Sequence, residues 1–298
     1  MSAESFKTML RGIGQDVVEL DGIAWSNFSP YLYSPIPYQL QIRPDEYELD
    51  RLFNARCFAI RCVVPQPWGL NSYQLVIADP TYDLQALDQK SRNQTRRGLE
   101  SCKVREISFS DLAKDGISLH IDTLSRQGRH VGRNIETYWK RYFECAGRAD
   151  CASAWGAYVG DDLAAYLVAI TLERTAHVVI VRSASRQLRH YPNNALIFRC
   201  AQELLQRRLV DEVSIGYESM QSTMGSLDRF KEGMGFKRKE VRRYVRLSPL
   251  IRTALRGPAV PVSRAVLKLL AKSERARKLD GLLKWHLRQR LPNFTDQR

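Results

Sequence analysis

The chain has 298 residues, with 46 Lys and Arg against 32 Asp and Glu, a formal net charge of +14, and 44% apolar and 26% charged positions. That composition reads as an ordinary soluble globular protein, long enough for one large domain or two small ones, each with its own core. No stretch approaches the ~18 uninterrupted apolar residues of a membrane-spanning helix, and Met1 to Leu10 mix Ser, Glu and Lys among apolar positions, unlike a secretory signal.

The segment from Ser29 to Pro44, rich in Pro and Tyr, suggests an irregular packed connection. Two β-like runs come after it, Cys57 to Val64 and Tyr73 to Ile77, separated by a Pro-Gln-Pro-Trp-Gly turn. Helical spacing then extends from about Leu84 to Cys102. Lys103 to Phe109 reads as a strand, Ser110 or Asp111 caps a helix reaching about Arg126, and Asn134 to Gly147 is a second helix rich in aromatics.

Three strands come next, Ala152 to Val159, Leu163 to Leu172 and Ala176 to Ser183, and their short joins make an antiparallel meander the economical arrangement. A helix from about Asn194 to Arg208, a strand Glu212 to Tyr217, a helix Leu227 to Met234 and one long strand or a strand pair within Phe236 to Leu247 complete the pattern. A helix joining the strand that ends at Ser183 to the one that begins at Glu212 makes those two a parallel pair in an otherwise antiparallel sheet.

Three stretches, Lys90 to Val104, Ser214-Ile-Gly-Tyr217 and Leu227-Asp-Arg-Phe-Lys-Glu-Gly-Met-Gly-Phe236, together with the order of elements over 103–247, carry a family likeness. The chain resembles the Gcn5-related N-acetyltransferase (GNAT) superfamily, in the branch of the Fem-type aminoacyltransferases and their acyl-CoA-using relatives. The likeness implies an α/β (α+β) fold: a mixed, mostly antiparallel sheet with flanking helices, followed here by a helical C-terminal tail. It divides the chain into an N-terminal segment 1–102, which is a partial GNAT-like unit at most, an acyltransferase domain 103–248 and a basic amphipathic tail 249–298. The activity it implies is transfer of an acyl group to an amine, with acyl-CoA as co-substrate and no permanently bound cofactor or metal. Aminoacyl-tRNA is the alternative donor, and a non-catalytic membrane- or RNA-binding protein of the same fold is the alternative outside enzymology.

Ordinary acetyltransferases wrap the coenzyme A pyrophosphate in a glycine-containing loop. The corresponding stretch here, Arg186 to Asn194, has no glycine. An anion site is still expected there, because a helix N-terminus presents unpaired amides and a positive dipole end beside Arg186 and Arg189, with Asn193 and Asn194 as caps or ligand contacts. Lys231, in the Phe-Lys-x-x-x-Gly signature, is the candidate for stabilising an oxyanion or protonating a leaving group. Glu218 is the candidate base for the attacking amine, with Tyr217 and Glu173 as weaker ones. Arg92, Arg96 and Arg97 recur at near-helical spacing, so that two of them share a face, which is ordinarily a solvated one. Ser214 stands where Fem-like proteins commonly carry Asp.

Six cysteines at irregular spacing, without a C-x-x-C pair or a zinc-ligand interval to any of five histidines, read as reduced and mostly buried thiols. Residues 249–298 contain twelve Lys or Arg and three acids, so the strong positive field is concentrated at that end. Apolar positions at Val262, Val266, Leu269, Leu270, Leu279, Leu283 and Leu287 among basic ones suit docking on the domain, an anionic membrane surface through 262–290, or tRNA. A cytoplasmic location, peripheral at the inner membrane face, is the corresponding expectation.

Overall fold

The computed structural model of the chain describes residues 2–29, 31–54, 57–129, 131–219, 225–254 and 274–289. It forms two compact units, each gathered from separate stretches: Met1–Gly14, Gln74–Tyr217 and Ser226–Lys239 in the first, and Gln15–Tyr73, Glu218–Gly225 and Glu240–Arg298 in the second. Strands β5 (Leu70–Ile77) and β11 (Lys237–Leu247) each begin in one unit and end in the other. The units therefore cut the chain elsewhere than after residues 102 and 248.

In the first unit the strand order is β5, β10 (Glu212–Tyr217), β9 (Thr175–Ser183), β8 (Asp162–Leu172), β7 (Ala152–Val159) and β6 (Lys103–Ile107). All neighbours are antiparallel except β9 and β10, which pair in parallel as expected. Leu163 through Ile170 are buried without interruption, so β8 is covered on both faces and its apolar run shows no alternation. Helices α3 (Phe109–Arg126) and α4 (Ile135–Gly147) supply Leu112, Ile117, Phe143 and Ala146 to this core, and α5 (Pro192–Gln206) supplies Leu196, Ile197, Phe198 and Ala201.

Two helices differ from the sequence reading. The spacing between Leu84 and Cys102 resolves into a 3-10 turn, Leu84–Ala86, and a separate α2, Gln89–Ser101. Each start has its own carboxylate cap: Asp83 accepts from the Gln85 amide and Asp88 from the Ser91 amide, so the backbone turns at Leu87–Asp88 instead of continuing. The opening residues form α1 (Ser2–Gly12), which buries Phe6, Met9 and Leu10, with Ile13 just beyond it.

The second unit has the order β1 (Val17–Leu20), β2 (Ile23–Ser29), β3 (Tyr31–Ile36), β4 (Cys57–Val64) and β11. Within the stretch read as irregular, Tyr31–Ile36 is thus a strand, antiparallel to β2 and parallel to β4. The chain after Ile36 is irregular until the Ile42 amide donates to the Val63 carbonyl. Trp25, Tyr33, Ile42, Leu49, Leu52, Ile60 and Tyr244 form the core of this unit. At its rim Asp50 accepts from Arg246 at 2.8 Å through both oxygens and from Arg252 at 2.7 Å, and these hydrogen bonds, Arg246 foremost, hold its carboxyl below the usual carboxylate range.

Among the described residues the C-terminal helices are α7 (Pro249–Ala254) and α8 (Glu274–Arg288). Val262, Val266, Leu269 and Leu270 lie outside the described residues. Leu282 and Leu283 are buried with Leu32, Ala59, Val245 and Leu247. Gln289 accepts from the Val245 amide at 2.6 Å and donates to its carbonyl at 2.7 Å, His286 donates to the same carbonyl, and Trp285 donates to the Arg243 carbonyl. Side chains of α8 and the residue after it thus answer backbone groups of β11 at Arg243 and Val245. Leu283→Ala should lower stability in urea by about 2–4 kcal/mol. Leu287→Ala should change it little, because Leu287 is 40% exposed. Equal, small losses in both variants would show that α8 does not seal this core.

Candidate functional site

The parallel pairing of β9 and β10 covers only Thr175 to His177 against Glu212 to Ser214. Beyond that point β9 continues to Ser183 and β10 turns away. The turn has a local cause. Gly216 adopts φ +104°, a conformation that side chains other than glycine rarely take, and its amide donates to Ser214 Oγ. Gln74 of β5 donates its amide to the same oxygen at 2.8 Å, and the β5–β10 register shifts between Ser214 and Tyr217. Ser214 is completely buried and serves to pin the bulge.

The departure of β10 leaves the β9 edge from Val178 to Ser183 without a strand partner on that side among the described residues. β9 also has its own irregularity: Val168 pairs with Ile180 and Ala169 with Val178, so Val179 is extra, and it is 41% exposed. Edge amides next to a bulge, held from the other side by the buried β8, can act as preorganised donors to an oxygen that acquires negative charge.

The far end of β9 is clamped to α3. Thr123 Oγ1 accepts from the Ser183 amide and donates to its carbonyl, each at 3.1 Å, and Arg126 donates to the Ser183 carbonyl, the Ser183 hydroxyl and the Ser185 hydroxyl. Asp122 accepts from the Ser185 amide and hydroxyl, which hold its carboxyl below the usual range. Sequence reading missed Asp122, Thr123 and Arg126. They share one face of α3, but nothing in their spacing names a partner about 60 positions away.

Next comes a 3-10 turn, Ser185–His190, which occupies the place of the expected phosphate loop. Arg186 pairs with Asp162 at 2.9 Å on the surface, an interaction worth at most about 1 kcal/mol that an anionic ligand would readily displace. Arg189 donates to the neighbouring His190 ring. Helix α5 then begins with Pro192 in its first turn and no side-chain cap. Asn193 donates to Ser183 Oγ at 3.2 Å, while its own Oδ1 is buried without a hydrogen-bond partner among the described residues. Asn194 turns inward: it is buried and directs its amide at Met234 Sδ, so it contributes to packing instead of facing a ligand.

Of the basic residues on α2, Arg97 reaches this place. Its guanidinium stands 5.0 Å over the Tyr191 ring, and Tyr191 is the residue that begins α5. The approach depends on Gly98, since a β-carbon there would stand 2.7 Å from the Tyr191 carbonyl oxygen. Arg92 is instead turned to the Gln85 and Leu87 carbonyls, and Arg96 is exposed.

Lys231 lies on α6 (Gly225–Gly233) and is 9% exposed, with Asp228 at 3.5 Å. It is not the solvated lysine that a helix position alone suggests. The end of α6 is fixed by three bonds: Asp88 donates its amide to the Gly233 carbonyl, Tyr82 its hydroxyl to the Met234 carbonyl, and Asn194 its amide to Met234 Sδ. The signature Phe-Lys-x-x-x-Gly is therefore anchored beside the starts of α2 and α5. Tyr217 ends β10 in the same unit, opposite Gln74. Glu218 belongs to the second unit, where its carboxylate accepts from Ser72 at 2.9 Å and its carbonyl from Arg243 at 2.7 Å. Glu173 sits in the β8–β9 turn with φ +56°, at the paired end of β9 and away from the opening.

No family profile matches the sequence. No curated protein matches it either. Among solved structures the chain is similar to FemX, with 10% identity, 85% of this chain and 93% of that one covered, and a TM-score of 0.56. It is also similar to the C-terminal domain of a protein described as a lysylphosphatidylglycerol synthetase from Agrobacterium fabrum, with 12% identity, coverage of 84% and 92%, and a TM-score of 0.53. A third is the L-PGS of Bacillus licheniformis, with 10% identity, coverage of 80% and 86%, and a TM-score of 0.50. At such identities the likeness defines the fold alone, a mixed α/β architecture with a mostly antiparallel sheet and flanking helices that is shared with FemX and the L-PGS proteins.

Two buried histidines border the site. Burial lowers His177, the last residue of β9 paired with β10, to about 4, and burial together with the Arg182 charge lowers His120 to about 3. Both are neutral in the folded state at pH 7, whereas the unfolded chain takes up protons near 6.5. Their contribution to stability is therefore complete above pH 6.5 and is lost as pH falls through that value toward 4, on the order of 3 kcal/mol for His177 alone. Denaturation in urea between pH 7.5 and 4.5 should show this decline, reduced in His177→Gln. A flat profile down to pH 5 would contradict the neutral, buried assignment.

Proposed function

We propose that the chain is an acyltransferase that moves an acyl or aminoacyl group from an activated thioester or ester to an amine. The observation that carries this reading is the early end of the β9–β10 pairing, with the free β9 edge running toward the uncapped start of α5. The donor's phosphates meet that helix start, with Arg97, Arg189 and a released Arg186 around it. The amine nitrogen attacks the carbonyl carbon, the edge amides of β9 take the developing oxyanion, and the bond to the leaving sulfur or oxygen breaks as a proton reaches it. Lys231 is the proposed electrostatic contributor on the leaving-group side. Tyr217, at the end of β10, is the proposed proton-transfer residue on the other arm.

Acyl-CoA is the first donor to test. Aminoacyl-tRNA is the second, and two observations favour it: the turn at Ser185–His190 holds no glycine with which to wrap a pyrophosphate, and the folds of FemX and the L-PGS proteins match this chain. The basic C-terminal residues suit either a tRNA or an anionic membrane, although the apolar side of α8 at Leu282 and Leu283 is already used in the second unit. A cytoplasmic, peripheral location fits both.

The donor question is settled by ligand-dependent melting. A donor bound only by the folded chain at a hundredfold excess over its Kd should add about 2.7 kcal/mol. A shift with acyl-CoA that disappears in Arg97→Ala with Arg189→Ala supports the first donor; a shift with charged tRNA alone assigns the second. No shift with either contradicts the transfer reading. With the donor identified, Lys231→Ala combined with Asp228→Asn, which avoids stranding a buried carboxylate, should lower turnover about ten- to a thousandfold with the fold retained. Normal turnover would return Lys231 to a packing role.

A further inference from the structure

Arg182 and Ser183 are consecutive on the free stretch of β9, so their side chains leave opposite faces of the strand. Ser183 meets Asn193 of α5, at the end assigned to the donor. Arg182 meets the other side, where α3 and α4 cover the sheet. Its Nε donates to His120 Nδ1 at 2.9 Å and its Nη1 to the Val181 carbonyl at 2.9 Å. Tyr166, its cross-strand neighbour, places its hydroxyl 3.5 Å from the same His120 nitrogen.

Around these groups stands an aromatic wall. The Trp139 ring lies 4.1 Å from His120 and 4.9 Å from Tyr142 between centroids, and Tyr138 meets Trp139 edge-on at 5.4 Å. Tyr142 is buried, Trp139 is half-buried and Tyr138 is 40% exposed, so the wall runs from the interior to solvent.

The charge balance of this place is one-sided. Among the described residues no carboxylate pairs with Arg182, and its hydrogen bonds run from Nε and Nη1. His120 is neutral and accepts through Nδ1, so it orients the guanidinium without balancing it. Arg129 lies close enough to act on Arg182, and it acts with the same sign. Arg182 is half-buried, and a guanidinium does not lose its proton in a protein, so even its partial desolvation without a counter-ion costs free energy that an arriving anion would return. With Nε on His120 and one Nη1 hydrogen on the Val181 carbonyl, the end of the guanidinium formed by Nη2 and the other Nη1 hydrogen is left to meet a planar two-oxygen anion, and the neighbouring rings suit an apolar group attached to it.

We propose that Arg182, oriented by His120 and Tyr166 and walled by Trp139 and Tyr142, binds the carboxylate of the acceptor, an amine-bearing acid with an aromatic or apolar side chain. This assignment rests on the transfer reading for the word acceptor, and on the geometry alone for the carboxylate. Donor and acceptor then occupy opposite faces of β9 and meet across its free edge.

The test is isothermal titration of the full chain, without any donor, using L-phenylalanine, phenylacetate and the amide of each. The two acids should bind, and their amides should bind at least about tenfold more weakly, since the amides cannot form the charge-assisted fork. Arg182→Lys, which keeps the charge and loses the fork, should lose most of the discrimination, and Arg182→Gln all of it, while Trp139→Ala should weaken acid and amide alike. Acids and amides binding equally, acids bound unchanged by Arg182→Gln, or no binding by the wild type would overturn the site. A wild type that does not discriminate, with an Arg182→Gln variant that is merely less stable, would assign Arg182 a structural role. Carboxylate binding in a chain that transfers no acyl group would leave the site intact and count against the transfer reading alone. Transfer to other amines without binding of either acid would do the reverse.

Discussion

The first unit is organised by one interruption, the end of hydrogen bonding between β9 and β10 after His177 and Ser214. Two parallel strands inside a sheet have every reason to continue pairing, because each unpaired amide or carbonyl costs free energy when buried. Here the continuation is blocked from within β10. Ser214 Oγ captures the Gly216 amide, Gln74 holds that oxygen from β5, and the positive φ of Gly216 redirects the chain. What remains on β9 is a short run of edge groups fixed on its other side by β8. In the proposed reaction that rigidity would set the donors before any ligand arrives, so little reorganisation would accompany transfer.

A row of amides has value only if its surroundings are held equally well, and this task is distributed among side chains that do no chemistry themselves. Thr123, Arg126 and Asp122 fix the end of β9 to α3 through the backbone of Ser183 and Ser185. Met234, just past the end of α6, lies between Thr95 in the middle of α2 and Asn194 near the start of α5, so one flexible thioether connects three helices. Gly98 lets α2 approach closely enough for Arg97 to cover the start of α5. Basic residues that look equivalent along the sequence thereby acquire different roles: Arg97 faces the helix start, Arg92 closes local carbonyls, and Arg186 waits on a weak surface pair with Asp162.

The second unit meets a different requirement, that of answering the backbone groups of β11 around Val245. Val245 on β11 has its amide and carbonyl answered by the Gln289 side chain, with His286 sharing the carbonyl, so a primary amide performs the work of a neighbouring strand. The Asp50 carboxylate bridges Arg246 of β11 and Arg252 of α7 in the same unit. Part of the strongly basic C-terminal region is thus structural, and its cations are not all directed at an outside partner.

The sequence by itself determined the order of elements from residue 103 to 247, because apolar alternation and helical spacing are local and the meander joins are short. It also determined the parallel relation of β9 and β10, since a helix between two strands permits little else, and it singled out Lys231 and the start of α5 through motifs that are contiguous. It did not show that Asp83 and Asp88 would divide one helical stretch in two, that α1 would be a core helix, or that β3 would form within a stretch rich in Pro and Tyr. Nor could it bring Arg182 to His120 or Asp122 to Ser185, or turn Asn194 toward Met234. Those pairs are separated by about 40 to 60 positions, and no spacing rule spans such distances. Whether a cation is buried or solvated, and whether an amide faces a ligand or a sulfur, depends on which surfaces meet once the sheet has formed, so only the tertiary structure decided it.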